Sequence, residues 1–259
     1  MDLPENIGLA FTLPIVAGLS TGIGSTIAYF VRRPKLSYLS FSLGFSAGVM
    51  IFISFVELLP EAVIHLGKAG GLIAFFVGIV FIGLIDLLIP EEENPHHYRQ
   101  PSDVLELRGD RRLLRTGLLS ALTLGIHNFP EGIVIFGTAL ANVKLSVFLA
   151  LAIAIHNVPE GISVSMPIFY ATGSRRKAFA YSFLSGLAEP LGAVICYLFL
   201  MPLLSGKPLS WLLAYVSGIM VYISVDELLP MAHRYGHSHT VILGIVFGML
   251  LMALSSMAF

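Results

Sequence analysis

Long apolar segments separated by short polar turns dominate this sequence. Eight segments each hold roughly 20 or more mostly apolar residues, the length that an α-helix needs to cross the hydrocarbon core of a bilayer. They cover residues 7–30, 38–64, 70–90, 116–141, 146–170, 178–204, 209–232 and 240–258. We call them spans 1 to 8 in chain order. The pattern predicts an all-α polytopic membrane protein with eight transmembrane helices in a single transmembrane domain, residues 1–259.

Composition supports a membrane location and narrows the chemistry. The 259 residues are 56% hydrophobic and only 12% charged, whereas a soluble domain carries about 25% charged residues. The formal net charge of −1 gives no attraction to nucleic acid, so we expect no nucleic-acid partner. Because Cys196 is the single cysteine, a site with several thiolates is excluded. Any metal site must therefore use His, Asn, Asp and Glu side chains.

The basic residues predict the orientation. Connections between spans are short except for residues 91–115, a polar segment that we expect to form a loop. The loops that follow spans 1, 3, 5 and 7 hold most of the Lys and Arg residues, namely Arg32, Arg33, Lys35, Arg99, Arg108, Arg111, Arg112, Arg115, Arg175, Arg176, Lys177 and Arg234. By the positive-inside rule these loops face the cytoplasm, and both termini lie outside it.

Four pairs of spans share sequence. The strings GL at 18–19, ELLP at 57–60 and GIVF at 78–81 recur in spans 6, 7 and 8, at offsets of 168, 170 and 166 residues. The string IHNxPEGI occurs at 126–133 in span 4 and at 155–162 in span 5. Short apolar strings match by chance, but four pairs in consistent order are hard to explain in that way.

The number of crossings between partners makes the repeat inverted. Partner spans are an odd number of crossings apart, so they run in opposite directions. The sequence therefore predicts an inverted 3+2+3 repeat, with repeat 1 at 7–90, the central spans 4 and 5 at 116–170, and repeat 2 at 178–258. Such repeats are typical of secondary transporters, whose substrate site lies near the midplane at the repeat interface.

The duplicated motif carries candidate metal ligands. In span 4, His127 and Asn128 lie four and three residues before Glu131, so these side chains share one helix face. Span 5 repeats the set with His156, Asn157 and Glu160. An unpaired carboxylate near the middle of a bilayer is costly, and spans 4, 5 and 6 hold no Lys or Arg to neutralise it. A bound divalent transition metal is the simplest compensation, because imidazole, amide and carboxylate ligands suit such ions.

Further acidic residues lie outside the duplicated motif. Glu189 in span 6 is predicted to be a third carboxylate of the site, and its counterpart in span 1 is Thr21. Other carboxylates lie toward helix ends and either line an ion path or are solvated termini: Glu57, Glu61, Asp226 and Glu227. The remaining histidines near the loops are candidates for weak metal capture or simple surface residues: His96, His97, His233, His237 and His239.

Two functions compete with metal transport. An intramembrane zinc-dependent metalloenzyme is the main alternative, but the helical signature HExxH is absent and HxxxE occurs instead, in duplicate. A receptor or scaffold that transports nothing needs no polar midplane. We therefore expect a transporter that is not an enzyme and has no catalytic cofactor.

The motifs HNFPEG, HNVPEG, SGLAEP (185–190) and ELLPEA (57–62) resemble those of the ZIP (Zrt-, Irt-like) family of metal transporters, in particular its bacterial ZupT-like branch. The resemblance implies import of Zn²⁺ into the cytoplasm, with iron, manganese, cobalt and cadmium as further candidates. It also implies a multi-pass protein of the cell (inner or plasma) membrane that forms a homodimer.

Carried over by motif position, the resemblance implies seven metal ligands: His127, Asn128, Glu131, His156, Asn157, Glu160 and Glu189. It further implies two adjacent ions bridged by Glu131 and Glu160, and an elevator-like motion of spans 1, 4, 5 and 6 against spans 2, 3, 7 and 8. The sequence departs from some members of the family in two ways. Its 91–115 segment is not His-rich, and Asn157 stands where some relatives carry an acidic residue.

Overall fold

The described part of the chain folds almost entirely into helices. A computed structural model describes residues 5–30, 36–87, 111–200, 206–235 and 238–258. Within these residues, seven helical spans are long and apolar enough to cross a membrane. This confirms the prediction of an all-α polytopic membrane protein.

Among the described residues, ten α-helices follow the predicted spans closely. They are α1 Ile7–Phe30, α2 Leu36–Phe52, α3 Leu59–Asp86, α4 Arg111–Ala141, α5 Val143–Thr172, α6 Arg175–Gly186, α7 Ala188–Ile195, α8 Lys207–Ile223, α9 Leu229–Tyr235 and α10 Ser238–Ala258. Three π-helical segments continue them at Ile53–Leu58, Cys196–Leu200 and Ser224–Leu228. Span 6 therefore comprises α6 and α7, and span 7 comprises α8 and α9.

A sharp break at Gly67 divides the longest helical span. Ser37–Asp86 covers 50 residues, which as one straight helix would reach about 75 Å, more than twice the thickness of a bilayer core. Gly67 adopts φ 72° and ψ 165°, a non-helical backbone that favours glycine. The break lies at the predicted boundary between spans 2 and 3 and supports two crossings here. The count of eight stays a prediction.

Two of the π-helical segments occupy equivalent positions in the two repeats. Ile53–Leu58 lies just before Pro60, and Ser224–Leu228 lies just before Pro230. Proline has no backbone N–H and its ring presses on the carbonyl four residues back. A wider π-helical turn relieves this pressure without ending the helix. The shared ELLP string therefore has a shared backbone distortion, as expected of repeated elements.

Helix packing follows the same pairing. Helix α1 packs against α5, and α6 and α7 pack against α4. Likewise, α3 packs against α8, and α10 packs against α2. Span 1 thus packs against span 5, and their predicted partners, spans 6 and 4, pack against each other. In the same way, span 3 packs against span 7, and their predicted partners, spans 8 and 2, pack against each other. This arrangement supports the predicted inverted repeat.

Glycines bring the paired helices into close contact. A Cβ atom at Gly132 of α4 would collide with the Glu189 carbonyl of α7, and one at Gly161 of α5 would collide with the Thr21 carbonyl of α1. In the α3–α8 pair, Gly218 meets the Phe75 carbonyl in the same way. Small residues of this kind drive helix association in lipid, where the hydrophobic effect between helices is lost.

The helices form two bundles, which we call the first bundle (α1, α4, α5, α6 and α7) and the second bundle (α2, α3, α8, α9 and α10). Within each bundle the helices contact one another extensively. Between the bundles, the main contacts are those of α2 with α5 and of α4 with α8. The division coincides with that expected from the family resemblance.

One boundary differs from the prediction. The loop expected at 91–115 ends earlier, because α4 begins at Arg111. Arginine and leucine are good helix formers, so residues 111–115 extend the helix beyond its apolar part. Arg32, Arg33, Lys35, Arg99, Arg108, His96, His97 and His237 lie outside the described residues.

Candidate metal centre

The seven residues predicted as ligands are all buried, and all belong to helices of the first bundle. Each is at most 1% exposed to solvent. They come from three places in the chain: the middle of α4, the middle of α5 and the first turn of α7. Burial of so many polar and ionisable side chains in a membrane-spanning bundle is expensive and marks a functional site.

Both motif helices pass through their prolines without ending. Helix α4 continues past Pro130 and α5 continues past Pro159. Each proline removes the hydrogen bond to the carbonyl four residues back. The glycine that follows each Glu lies against a backbone carbonyl of the neighbouring helix, as described above. The motif therefore combines ligands with the small residue that lets helices approach.

Histidines and glutamates pair crosswise between the two central helices. His127 Nε2 of α4 lies 3.4 Å from Glu160 Oε2 of α5. In the reciprocal pair, His156 Nε2 of α5 lies 3.7 Å from Glu131 Oε2 of α4. The two pairs correspond to each other, because the duplicated motif matches His127 with His156 and Glu131 with Glu160. Each motif thus supplies an imidazole to the carboxylate of the other.

The asparagines are held by backbone carbonyls of α1 and α6. Asn157 donates its side-chain amide to the carbonyl of Ala17 at 3.0 Å. Asn128 donates to the carbonyl of Ser185 at 3.4 Å. Ala17 and Ser185 are themselves equivalent in the repeat. Because both amide nitrogens face the backbone, both amide oxygens are left as potential ligands.

Glu189 joins the centre through Asn157. The Asn157 amide donates to Glu189 Oε1 at 2.5 Å. This contact gives a reason for an amide at position 157: aspartate there would set two carboxylates against each other. It is also where the two halves of the centre differ, because the repeat counterpart of Glu189 is the uncharged Thr21.

Many polar atoms of the centre have no hydrogen-bond partner. Among the described residues, nine such buried atoms belong to these seven side chains: His127 Nδ1, Asn128 Oδ1, Glu131 Oε1 and Oε2, His156 Nδ1 and Nε2, Asn157 Oδ1, Glu160 Oε1 and Glu189 Oε2. Each buried unsatisfied polar group costs about 1–3 kcal/mol. Metal ions held among these side chains would satisfy several of these atoms.

The centre is open rather than closed around one point. Across the described ranges, no three His, Cys, Asp or Glu side chains converge as a ready-made metal cluster. The side chains form pairs, and the ion-pair partners of Glu131 and Glu160 are the two histidines. Small side-chain shifts would be needed to enclose an ion. An open set of ligands suits an ion that must enter and leave.

Some of the carboxylates that lie outside the duplicated motif are buried, and others lie at the periphery. Glu227, in the second bundle, is only 5% exposed, so it is not a solvated helix end. Its burial was missed from the sequence, although its ELLP string marks it as the counterpart of Glu57. Glu57 accepts a hydrogen bond from Ser256 at 2.6 Å. Glu57 and Glu61 line a peripheral cavity of about 240 Å³.

One serine of the second bundle reaches the centre and was also missed. Ser46 of α2 donates its hydroxyl to the backbone carbonyl of His156 at 3.3 Å. No sequence motif marks this serine, because its role depends on how α2 packs against α5.

Comparison with known proteins gives close relatives. The sequence model of the family described as "ZIP Zinc transporter" matches residues 91–256. A protein named Zinc transporter ZupT from Clostridium perfringens is 49% identical over 280 residues, covering 100% of this chain and 98% of the relative. The proteins of the same name from Akkermansia muciniphila and Streptococcus mutans are 53% and 49% identical, covering 98% and 99% of this chain and 99% and 100% of the relatives.

These matches extend over both bundles and all seven residues of the centre. A family match over more than half of the chain, together with identities of 49% to 53% over nearly its whole length, leaves no other assignment. The chain belongs to the ZIP family of transporters.

Proposed function

We propose that this protein imports divalent transition-metal ions into the cytoplasm, with zinc as the principal substrate, through the centre between α4, α5 and α7. The observation that carries the proposal is the crossed pairing of His127 with Glu160 and of His156 with Glu131, surrounded by polar atoms without partners. Its relatives are named zinc transporters. The seven residues of the centre are the proposed ligands.

The chemistry of the ligands favours transition metals without selecting one. Two imidazoles suit zinc and iron, whereas carboxylate and amide oxygens suit manganese and magnesium. Cobalt and cadmium complete the set of candidate substrates. Because the centre holds three carboxylates and two histidines, a divalent ion also neutralises charge that the bilayer would otherwise penalise.

Two adjacent ions fit the symmetry of the centre. Each crossed pair supplies one imidazole and one carboxylate, so the inverted repeat creates two similar half-sites. Glu131 and Glu160 lie on neighbouring helices and are the proposed bridging ligands. The half-sites differ because only one of them includes Glu189, so we expect the two ions to bind with different affinities.

The two-bundle architecture supports alternating access. The ligands belong to the first bundle, whereas contacts between the bundles are limited mainly to α2 with α5 and α4 with α8. We propose that the first bundle moves as a unit against the second, carrying the ions across the membrane. Eight crossings, with both termini outside the cytoplasm, and a homodimer in the cell membrane complete the proposal.

The enzyme alternative is not favoured by any observation. Membership in a transporter family confirms the prediction that the chain is not an enzyme. The ligands are duplicated about an inverted axis, which serves access from two sides better than chemistry on one substrate.

Reconstitution tests the proposal directly. Purified protein is inserted into liposomes that enclose a zinc-sensitive dye, and zinc is added outside. We expect saturable uptake that depends on protein and is lost in the isosteric double variant Glu131→Gln/Glu160→Gln. Correctly inserted wild-type protein that carries no metal would overturn the proposal. Equal uptake by the double variant would separate transport from this centre.

A further inference from the structure

Thr21 occupies the position in α1 that Glu189 occupies in α7. The Thr21 carbonyl packs against Gly161, and the Glu189 carbonyl packs against Gly132, so the two residues meet equivalent glycines of the two motifs. Thr21 is 0% exposed. The structure therefore places a buried threonine hydroxyl where the other half of the centre has a carboxylate.

The hydroxyl of Thr21 has no hydrogen-bond partner. A threonine in a helix normally donates to the carbonyl four residues back, which here is that of Ala17. That carbonyl already accepts from the Ser20 hydroxyl at 2.5 Å and from the Asn157 amide at 3.0 Å. The Thr21 hydroxyl is thus left available to another group.

The Thr21 hydroxyl lies beside Gly186 of α6. A Cβ atom at Gly186 would lie 3.0 Å from Thr21 Oγ1. Gly186 directly follows Ser185, whose carbonyl receives the Asn128 amide. Asn128 Oδ1 is itself without a partner. Two buried oxygens without partners therefore border the same short stretch of α6.

We propose that Thr21 determines selectivity in this transporter: its hydroxyl supplies a neutral oxygen ligand to the ion in the Asn128 half of the centre. The inference rests on the proposed function and deepens it. With a hydroxyl instead of a fourth carboxylate, the two half-sites differ in charge, so one ion binds less tightly. A neutral oxygen also favours manganese, which prefers oxygen ligands, relative to zinc, which binds imidazole well.

The test compares two threonines that are both buried in the first bundle. Thr21→Val keeps the shape of the side chain and removes the hydroxyl. Thr138→Val is the matched control, because the Thr138 hydroxyl is satisfied within its own helix by the carbonyls of Val134 at 2.7 Å and Ile135 at 3.1 Å. We expect Thr21→Val to raise the KM for zinc severalfold with little change in maximal rate, and to lower the manganese-to-zinc uptake ratio further. The control should change neither.

A charge exchange tests the equivalence of the two positions. Glu189→Thr should lose most uptake, and adding Thr21→Glu should restore part of it, because the carboxylate returns in the symmetry-related place. Thr21→Ser, which keeps the hydroxyl, should retain the wild-type ion ratio even if Thr21→Val folds poorly. A wild-type KM and ion ratio in Thr21→Val, a changed ion ratio in Thr21→Ser, or no recovery in the exchange would overturn the inference. Wild-type protein without flux would instead overturn the proposed function.

Discussion

The two bundles are packed by the same device but differ in what they bury. In both, glycines let a helix lie against a carbonyl of its partner, as Gly132 does in the first bundle and Gly218 in the second. The first bundle buries histidines, asparagines and glutamates along with hydroxyls. Among the described residues of the second bundle, the buried polar side chains are Ser40, Ser46, Ser54, Ser210, Ser217, Ser224 and Glu227.

The two bundles differ mainly in whether their buried polar side chains find a hydrogen-bond partner within their own helix. Ser217 and Ser224 donate to the carbonyls of Ala214 and Met220 on the same helix, at 2.8 Å and 2.7 Å. The imidazoles and carboxylates of the metal centre instead pair with side chains of other helices or have atoms without a partner. Glycine contacts and serines bonded within their own helix therefore account for much of the second bundle, whereas the buried imidazoles, amides and carboxylates of the first bundle indicate a ligand.

The largest effect is expected from removing a carboxylate of the first bundle. Glu131→Ala should reduce zinc uptake by more than about 100-fold, because it removes a proposed ligand and leaves His156 buried without its carboxylate partner. The matched control is Glu5→Ala, at an exposed position before α1. Initial rates of uptake into proteoliposomes provide the measurement. Normal uptake by Glu131→Ala would mean that the polar interior serves packing only.

A methyl group added at one glycine of each bundle should separate function from stability. Gly132→Ala and Gly218→Ala each push a Cβ into a carbonyl of the neighbouring helix, and overpacking of this kind costs about 1–3 kcal/mol. We expect both variants to unfold at lower temperature, but only Gly132→Ala to lose uptake by about tenfold, because it displaces Glu189.

Gly125 of α4 provides the control for this pair. A Cβ there meets nothing within 4 Å, so Gly125→Ala should change neither unfolding temperature nor uptake. Thermal unfolding and zinc uptake are measured on the same preparations. If Gly218→Ala lost as much uptake as Gly132→Ala at equal stability, the second bundle would be part of the ion-binding machinery.

External acid should slow uptake by several-fold between about pH 7.5 and about pH 5.5. Metal ligands must be deprotonated to bind, so protons compete with zinc for His127, His156 and the carboxylates. The competition acts on apparent affinity, so raising the zinc concentration should restore the rate. A steep rise in uptake at low pH would indicate proton-coupled import instead.

For the first bundle, the sequence predicts the helices and the site residues better than it predicts the contacts between them. The spans, the two PEG motifs and the SGLAEP string around Glu189 are local features of the sequence, and the seven residues that they predict for one site are all buried in the structure. Their role as ligands stays a prediction. Their crossed pairing was not predicted, since it depends on the crossing of α4 and α5. The position of α5 also involves contacts with residues far away in the chain, such as that of Gly161 with Thr21 of α1. Which partners lie closest is a tertiary property that helical periodicity does not contain.

The same limit applies to the second bundle. Gly67 was one of several glycines near the end of span 2, and only its backbone angles identify it as the break. Glu227 lies in a short ELLP string near the end of a span, where a solvated terminus was an equal expectation. Its burial follows from the packing of several helices around the π-helical segment. Inverted symmetry was the signal available for it, through its match to Glu57.

The smallest effect is expected at a contact between the bundles. Ser46→Ala removes the hydroxyl that the second bundle donates to the His156 carbonyl at 3.3 Å. A long hydrogen bond contributes about 0.5 kcal/mol, so uptake should change by only about twofold. Ser217→Ala is the matched control in the same bundle, since its hydroxyl bonds within its own helix, and it should leave uptake unchanged. If the first bundle moves against the second, the Ser46 contact breaks in each cycle, and its loss should alter the maximal rate rather than the KM. A change in KM alone would instead make Ser46 part of the metal centre and shift the boundary between the two bundles.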